Sequence, residues 1–509
     1  MHLSDVARSR PNAPAVVMSG SGRALTYAQL DAASRHFAAF LAERELNAGD
    51  TVAILMENSV AYIVAALAAQ RRGLYFVPVN WHLTRNEIEF LITDSAAKTL
   101  ITSPTMAELA DAASAGVPTV EHLVVLADGA DGGRTAAMEV SAMDVTPVAE
   151  PAGEEPNGIY MFYSSGTTGR PRGIKPSLPG TAFGDGLSVE KTLSEAFGFG
   201  PSARYLSTGP LYHAAALGWS LGTIALGGTA VIMERFDATM SLRAIESYGI
   251  THAQFVPTMF VRMLKLPDDV RKAHDLSSLR WAIHAAAPCP VDVKRQMFDW
   301  LGPVIYEFYG ASEGICFFAI GPQEWLEHPG SVGRALRGVP HILDENGVDL
   351  PPGEIGEIWV DTPVVFDYHN DAVKTASVVN GKGWRTVGDM GSLDGGGYLY
   401  LADRRTDLII SGGVNIYPRE IEEAMVMHPD VADVAVIGVP DDDLGQRVVA
   451  VVQLRDPAAD SHQVRESLFN HLADRLARFK LPKDIQFMAE LPRLPTGKIL
   501  RRELRDLWK

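Results

Sequence analysis

A chain of 509 residues is too long for one core and fits two to four packing units; with 47% apolar and 21% charged residues it is neither disordered nor fibrous. Its formal charge of −17 excludes bulk electrostatic attraction to nucleic acid or an anionic membrane, although residues 463–509 hold eleven basic against six acidic side chains. The first residues lack the apolar core of a signal peptide, apolar stretches such as Ala61 to Ala69 are too short to span a bilayer, and the two cysteines, Cys289 and Cys316, are too few for a disulfide framework or a zinc site. A cytoplasmic protein without an integral membrane segment is expected, with no nucleic-acid partner and no thiol-held metal.

In chain order, Thr26-Tyr-Ala-Gln29 is a capping box ahead of a helix whose Leu30, Ala33, Phe37 and Leu41 recur at helical spacing. Thr51 to Leu55, Tyr75 to Val79, Thr99 to Thr102, His122 to Leu126, Ala230 to Met233, His252 to Val256 and Trp281 to Ile283 then read as short apolar strands separated by helical lengths. That alternation predicts parallel sheets covered on both faces up to about residue 330. An Ala- and Gly-biased stretch at 128–156 reads as a connection. After Gly330 the segments Gly333 to Ile342, Gly356 to Val360 and Tyr398 to Leu401 alternate with turns, which predicts an antiparallel or barrel-like subdomain. A last unit from about residue 405 contains a helix at Pro418 to Met427, strands at Val431 to Val439 and Arg447 to Leu454, and a helix around Val464 to Arg478.

The densest chemical signal is Tyr163-Ser-Ser-Gly-Thr-Thr-Gly-Arg-Pro-Arg-Gly173. Its glycines let backbone N–H groups turn inward, and Ser164, Ser165, Thr167 and Thr168 add hydroxyl donors around Gly166 and Gly169, so the segment suits a polyphosphate. It is not a Walker loop, because Gly169 is followed by Arg-Pro-Arg and the Gly497-Lys498 pair is followed by Ile499. Gly310-Ala-Ser312-Glu-Gly314 formally fits a serine nucleophile elbow, which leaves a serine esterase using Ser312 as a remote alternative. The elbow needs a helix directly after the serine, whereas Ile315 to Ile320 reads as a strand.

Six blocks in order, Tyr163 to Gly173, Pro210-Leu-Tyr-His213, Tyr309-Gly-Ala-Ser-Glu313, Trp384-Arg-Thr-Val-Gly-Asp389, Asp403 to Pro418 and Pro495-Thr-Gly-Lys498, resemble the adenylate-forming superfamily of acyl-CoA synthetases, nonribosomal adenylation domains and luciferases, most of all fatty-acyl-CoA ligases. The likeness spans nearly the whole chain. It implies an α/β fold: a large N-terminal region, 1–404, of two α/β sheets plus a β-barrel-like subdomain, and a small mobile α+β C-terminal domain, 405–509. It also implies a ligase using ATP, Mg2+ and CoA, in which a carboxylate attacks the α-phosphate to give an acyl-adenylate and a thiol then displaces AMP. Glu313 matches the magnesium ligand, Ser312 a phosphate contact where Thr is usual, and Tyr309 the ring beside adenine, with Ala285, Ala286 and Ala287 as a backbone wall. Asp389 matches the acid that accepts from the ribose hydroxyls, Arg404 a ribose- or phosphate-side contact, and Lys498 the lysine that stabilises carboxylate and α-phosphate. After adenylation, Ser411-Gly412-Gly413 would line a pantetheine tunnel. Departures are Arg172 for the usual Lys and Thr406 at the hinge position.

The resemblance also maps an acyl pocket: Trp219, Phe255, Val256, His284, Ala285, Gly310, Ala311, Ile315 and Cys316, with His213 gating the carboxylate path or packing behind it. The segment His213-Ala-Ala-Ala216 lacks the Asp that would pair with a substrate ammonium, so an α-amino acid is not expected. The mainly apolar set predicts a fatty, alicyclic or similar hydrophobic acid. CoA is the expected acceptor, with Arg475, Arg478 and Lys480 near its phosphates; a carrier protein is the alternative thiol, and a homo-oligomer is left open.

Overall fold

The computed structural model describes residues 3–128, 138–141, 155–164, 171–185, 187–287, 289–404, 407–411, 414–441, 444–473, 475–493 and 499–508. One sheet has six parallel strands in the order Met138–Ser141, His122–Ala127, Thr99–Thr102, Thr51–Leu55, Tyr75–Val79 and Ile159–Tyr160. A nine-stranded sheet runs Arg334–Arg337, Phe317–Ile320, Ile305–Gly310, Trp281–His284, His252–Phe255, Arg204–Ser207, Thr229–Ile232, Pro14–Met18 and Ala24–Thr26. Its six central strands are parallel, and both edges are finished by antiparallel pairs.

All twelve residues of helix Val60–Arg71 are buried. A helix apolar on every side needs neighbours on every side, and this one shares a core with Val16 and Ala230 of the nine-stranded sheet and Val52 and Ile54 of the six-stranded sheet. Helices Tyr27–Ala42 and Ala214–Ala225 contribute Leu30, Phe37, Leu217 and Ile224 to the same layer. The capping box is present: the Thr26 N–H donates to Gln29 Oε1 at 2.9 Å and the Gln29 N–H donates to Thr26 Oγ1 at 3.3 Å.

The barrel-like part is a half-barrel of two antiparallel sheets. Four strands, Val339–Leu343, Gly356–Asp361, Arg385–Leu393 and Leu399–Arg404, lie beside three, Phe366–Tyr368, Arg172–Pro176 and Phe162–Ser164, and Ile174, Ile342, Ile358, Phe366 and Leu399 meet in one core. The change from α/β falls later than Gly330, because Gly333 to Ile342 is two strands, and Arg334–Arg337 still belongs to the nine-stranded sheet. The break is Gly338, whose φ is +79° and where a Cβ would lie 2.4 Å from Val360 Cγ1.

The C-terminal part has a hairpin, Ile409–Ser411 with Val414–Ile416, and a sheet of Val431–Asp441, Gly445–Leu454 and Asp484–Met488. Helices Pro418–Val426 and Ser461–Ala473 cover one face through Ile421, Met425 and Leu468, and helix Arg501–Asp506 covers the other through Leu504. The helix expected to reach Arg478 ends at Ala473, and Asp484–Met488 adds a parallel strand that its sequence did not announce.

Candidate functional site

Strands His252–Phe255, Trp281–His284 and Ile305–Gly310 lie side by side in parallel register, Phe255 opposite His284 and His284 opposite Glu307. Their carboxyl ends therefore deliver Val256, Ala285 to Ala287 and Gly310 to Glu313 to one edge, where open α/β sheets hold ligands. Ala286 has φ +73°, a left-handed backbone at an exposed non-glycine residue, and Ala287 beside it is exposed too.

The half-barrel closes on this edge through two phenol–carboxylate contacts. The Tyr309 hydroxyl donates to Asp389 Oδ2 at 2.7 Å, and the Tyr368 hydroxyl donates to Glu313 Oε1 at 2.9 Å. Asp389 sits on a bulge: Glu357 and Trp359, two apart, pair with Met390 and Thr386, four apart, and Gly388 within it has φ +80°. The Thr386 hydroxyl accepts the Gly388 N–H at 2.9 Å and fixes that bend. Asp389 also pairs in register with Arg404.

Ser312 is exposed on a turn closed by the Gly314 N–H on the Ala311 carbonyl at 2.9 Å, with Gly314 at φ +73°. The chain then enters strand Phe317–Ile320, so the strand-to-helix geometry of a nucleophile elbow is not formed. His213 begins helix Ala214–Ala225 with its ring edge-on to Tyr212 at 4.4 Å. Burial pushes its pKa down to about 4, so the imidazole is neutral near pH 7, and Nε2 is buried without a hydrogen-bond partner among the described residues.

The structure divides the mapped acyl pocket between two faces of the nine-stranded sheet. Trp219 packs with Phe197, Phe199 and Ile283, and stacks on Phe308 at 5.0 Å. Phe255 and His284 point to the other face: Phe255 joins Phe260, and His284, fully buried, lies edge-on to Phe260 at 5.3 Å and 3.5 Å from Glu307. Strand alternation requires this split, since Ile283 and His284 are consecutive. Burial and the nearby Lys294 hold the His284 pKa well below its ordinary value. Ile315, Cys316 and the partly buried Ala311 pack instead into the half-barrel core, and Val256 is half-buried at the start of helix Pro257–Leu264. Phe197, Phe308 and Phe317 were not singled out from sequence, although the two-residue spacing of Tyr306 and Phe308 marks the face they share.

Ser165, Gly166, Thr167, Thr168, Gly169, Thr406, Gly412, Gly413 and Lys498 lie outside the described residues, as do the side chains of Ser164 and Arg404. The strands flanking 165–170 are described, with Ser164 paired to Arg172. Among the described residues, no group of three or more His, Cys, Asp or Glu side chains comes together to cage a metal. A single carboxylate such as Glu313 suits magnesium, which keeps water and phosphate oxygens as most of its ligands. No helix among the described residues is long and apolar enough to cross a membrane.

Comparison with known proteins gives the class of the protein, a nucleotide-dependent acid-activating enzyme. Residues 3–368 match the AMP-binding enzyme family and residues 420–498 the AMP-binding enzyme C-terminal domain. A feruloyl-CoA synthase of Amycolatopsis is 35% identical over 98% of this chain and 97% of its own, and a long-chain-fatty-acid–CoA ligase of Mycobacterium tuberculosis is 31% identical over 99% and 97%. The o-succinylbenzoate CoA synthetase of Bacillus subtilis, solved with its acyl-adenylate intermediate, superposes with a TM-score of 0.80 at 28% identity, covering 99% of this chain and 97% of that one. The chain belongs to the AMP-binding enzyme family and is an ATP-dependent, AMP-forming acid–thiol ligase of the acyl-CoA synthetase kind.

Proposed function

We propose that this ligase activates a compact hydrophobic acid, ring-bearing rather than long-chain, and passes the acyl group to CoA. The observation that carries the reading is the aromatic cluster under helix Ala214–Ala225. Trp219, Phe308, Phe317, Phe197 and Phe199 close on one another with ring centroids 5.0–6.4 Å apart, a close-packed apolar wall. Such a wall favours a flat apolar acyl group by stacking and desolvation. The feruloyl-CoA synthase likeness supports that size class.

In this reading residues 1–404 bind ATP and acid, and residues 405–509 form the mobile domain. The Tyr309–Asp389 contact brings together the ring assigned to adenine and the acid assigned to the ribose hydroxyls, with Ala286 and Ala287 beside them. Glu313 holds magnesium, which when bound neutralises phosphate charge. Ser164 to Gly169 and Ser312 are assigned to the phosphates, Gly310 to the acyl group and Arg404 to the ribose. His213, kept neutral by burial, faces the carboxylate path. Lys498 stabilises the developing charge on carboxylate and α-phosphate, and Gly412 and Gly413 line the thiol's approach. The protein is a cytoplasmic enzyme in this account.

The test is acid-dependent pyrophosphate release with magnesium-ATP, with and without CoA, across arylacrylic, arylacetic, alicyclic, medium- and long-chain acids. Release fastest with ring-bearing acids, and accelerated by CoA, is expected. Preference for long-chain acids would overturn the size assignment, and indifference to CoA in the presence of a productive acid would favour a carrier-protein thiol.

A further inference from the structure

Asp94, the last residue of helix Arg85–Asp94, lies in no motif singled out in the sequence, yet it contacts the entry strand of the phosphate-binding segment directly and its exit strand through His369. Its carboxylate accepts the Tyr163 hydroxyl at 2.7 Å and an Asn370 amide N–H at 3.1 Å. Its carbonyl accepts His369 Nε2–H at 2.9 Å and the Asn370 amide at 3.2 Å. Tyr163 directly precedes Ser164 on the entry strand, which pairs with the exit strand through Tyr163 opposite Gly173 and Ser164 opposite Arg172. The exit strand in turn pairs with Phe366–Tyr368, and the His369 N–H donates to the Gly173 carbonyl at 2.8 Å.

The connection also returns on the exit side. Arg172 Nε lies 3.5 Å from Asp371 Oδ2, one residue beyond Asn370. Entry strand, Asp94, residues 369–371 and exit strand therefore form a closed circuit among the described residues. Burial first, and the Asp94 carboxylate next, drive the Tyr163 phenol far above its ordinary range, so it stays the donor at any working pH. A further link reaches the carboxylate assigned to magnesium, since Tyr368, which holds Glu313, immediately precedes His369.

Resting on the nucleotide reading above, we infer that Asp94 is a positioning residue for ATP: it clamps Tyr163 and the 369–370 segment to the end of helix Arg85–Asp94 and so holds in place the paired strands that lead into and out of the phosphate-binding loop. A loop that binds through directed N–H and hydroxyl groups loses affinity when its base can splay, because each donor must be re-aimed at a cost in order. The acid is bound elsewhere, against the wall of Trp219 and Phe308, so its affinity should not follow.

The experiment uses the full chain with Asp94→Ala, Asp94→Asn, Tyr163→Phe and the Asp94→Ala/Tyr163→Phe pair, measuring magnesium-ATP affinity calorimetrically without acid, and then the KM for ATP and for the best acid. Loss of a hydrogen bond to a charged acceptor predicts about a tenfold weaker Kd for ATP in Asp94→Ala and Tyr163→Phe, with the pair no worse than the weaker single variant. The KM for acid should stay within about twofold and Asp94→Asn, which keeps an acceptor, should recover most ATP affinity. A merely structural role would instead lower the unfolding temperature and kcat without separating ATP from acid. Tyr163→Phe decides if Asp94→Ala fails to fold, since it removes one hydroxyl and keeps the ring. Wild-type ATP affinity in both single variants, or equal losses for ATP and acid, overturns the inference. A wild-type protein that binds no ATP overturns the nucleotide reading itself.

Discussion

Strand Ile305–Gly310 carries two different chemistries on its two faces. Tyr306 and Phe308 point into the aromatic cluster with Trp219 and Phe317, whereas Ile305 and Glu307 point the other way, where Lys294 donates to Glu307 Oε2 at 2.6 Å with neither side chain more than 7% exposed. His284 lies 3.5 Å from the same oxygen, and the Lys294 ammonium sits 4.7 Å from the Trp325 ring centroid. One face can adapt, because aromatic contacts change by degrees; the other cannot, because a buried charge is either paired or not. The adaptable face is thus suited to choosing the acid, and the rigid face to holding Tyr309 and the turn after it in place.

The largest effect should come from breaking the rigid face. Lys294→Met leaves Glu307 buried without its partner and should cost about 3–5 kcal/mol in urea unfolding. Replacing both, Lys294→Met with Glu307→Met, should recover all but about 1–2 kcal/mol of that loss, because apolar substitutes for a buried pair are often nearly neutral. An equal loss in single and double variants would show that the pair is not what holds this face.

The aromatic face has its own titratable member. His252, 2% exposed, lies between the Phe199 ring at 4.1 Å and the Trp281 ring at 4.3 Å, with Nε2–H on the Phe197 carbonyl at 3.0 Å and Nδ1 2.7 Å from the Thr251 hydroxyl. Burial lowers its pKa to about 4, below the ordinary 6.5. Between those values the unfolded chain binds the proton and the folded one does not. Its contribution is therefore complete above pH 6.5 and is lost as pH falls toward 4, by up to about 3 kcal/mol. Unfolding free energy measured from pH 7 to pH 4 should fall across that window, and less steeply in His252→Gln. Identical slopes would assign the acid sensitivity to other groups.

Phe308→Leu should cost least, about 1–2 kcal/mol, since it trades ring contacts for an aliphatic side chain of smaller volume. Thermal unfolding checks that figure. A loss as large as that of Lys294→Met would erase the contrast between the faces.

Much of the molecule was legible from sequence because its signals are local. The apolar runs at 51–55, 75–79, 99–102 and 252–255 became parallel strands, and Thr26 and Gln29 cap their helix as their spacing requires. What stayed hidden is what distant segments decide. Pro14–Met18 joins Thr229–Ile232 from more than two hundred residues away, and Arg334–Arg337 stays with the nine-stranded sheet because of its partner Phe317–Ile320, not its own composition. In the site, Tyr309, Asp389 and Glu313 stood out by motif, while their phenol contacts did not. The mapped pocket mixed two faces because motif matching ignores strand parity: Ile283 and His284 are neighbours in sequence and back to back in space. Lys294 and Glu307 belong to no motif, and only the fold shows them buried together.

The central claim is that the acid is chosen on the Trp219–Phe308 face and not on the Glu307 face. Its most direct test is the relative kcat/KM across a panel of ring-bearing and straight-chain acids for wild type, Phe308→Leu and the Lys294→Met/Glu307→Met pair. The account predicts that Phe308→Leu reorders the acids, while the double variant keeps the wild-type order whatever its absolute rate. A double variant that reorders them, or a Phe308→Leu enzyme with the wild-type order, would contradict it.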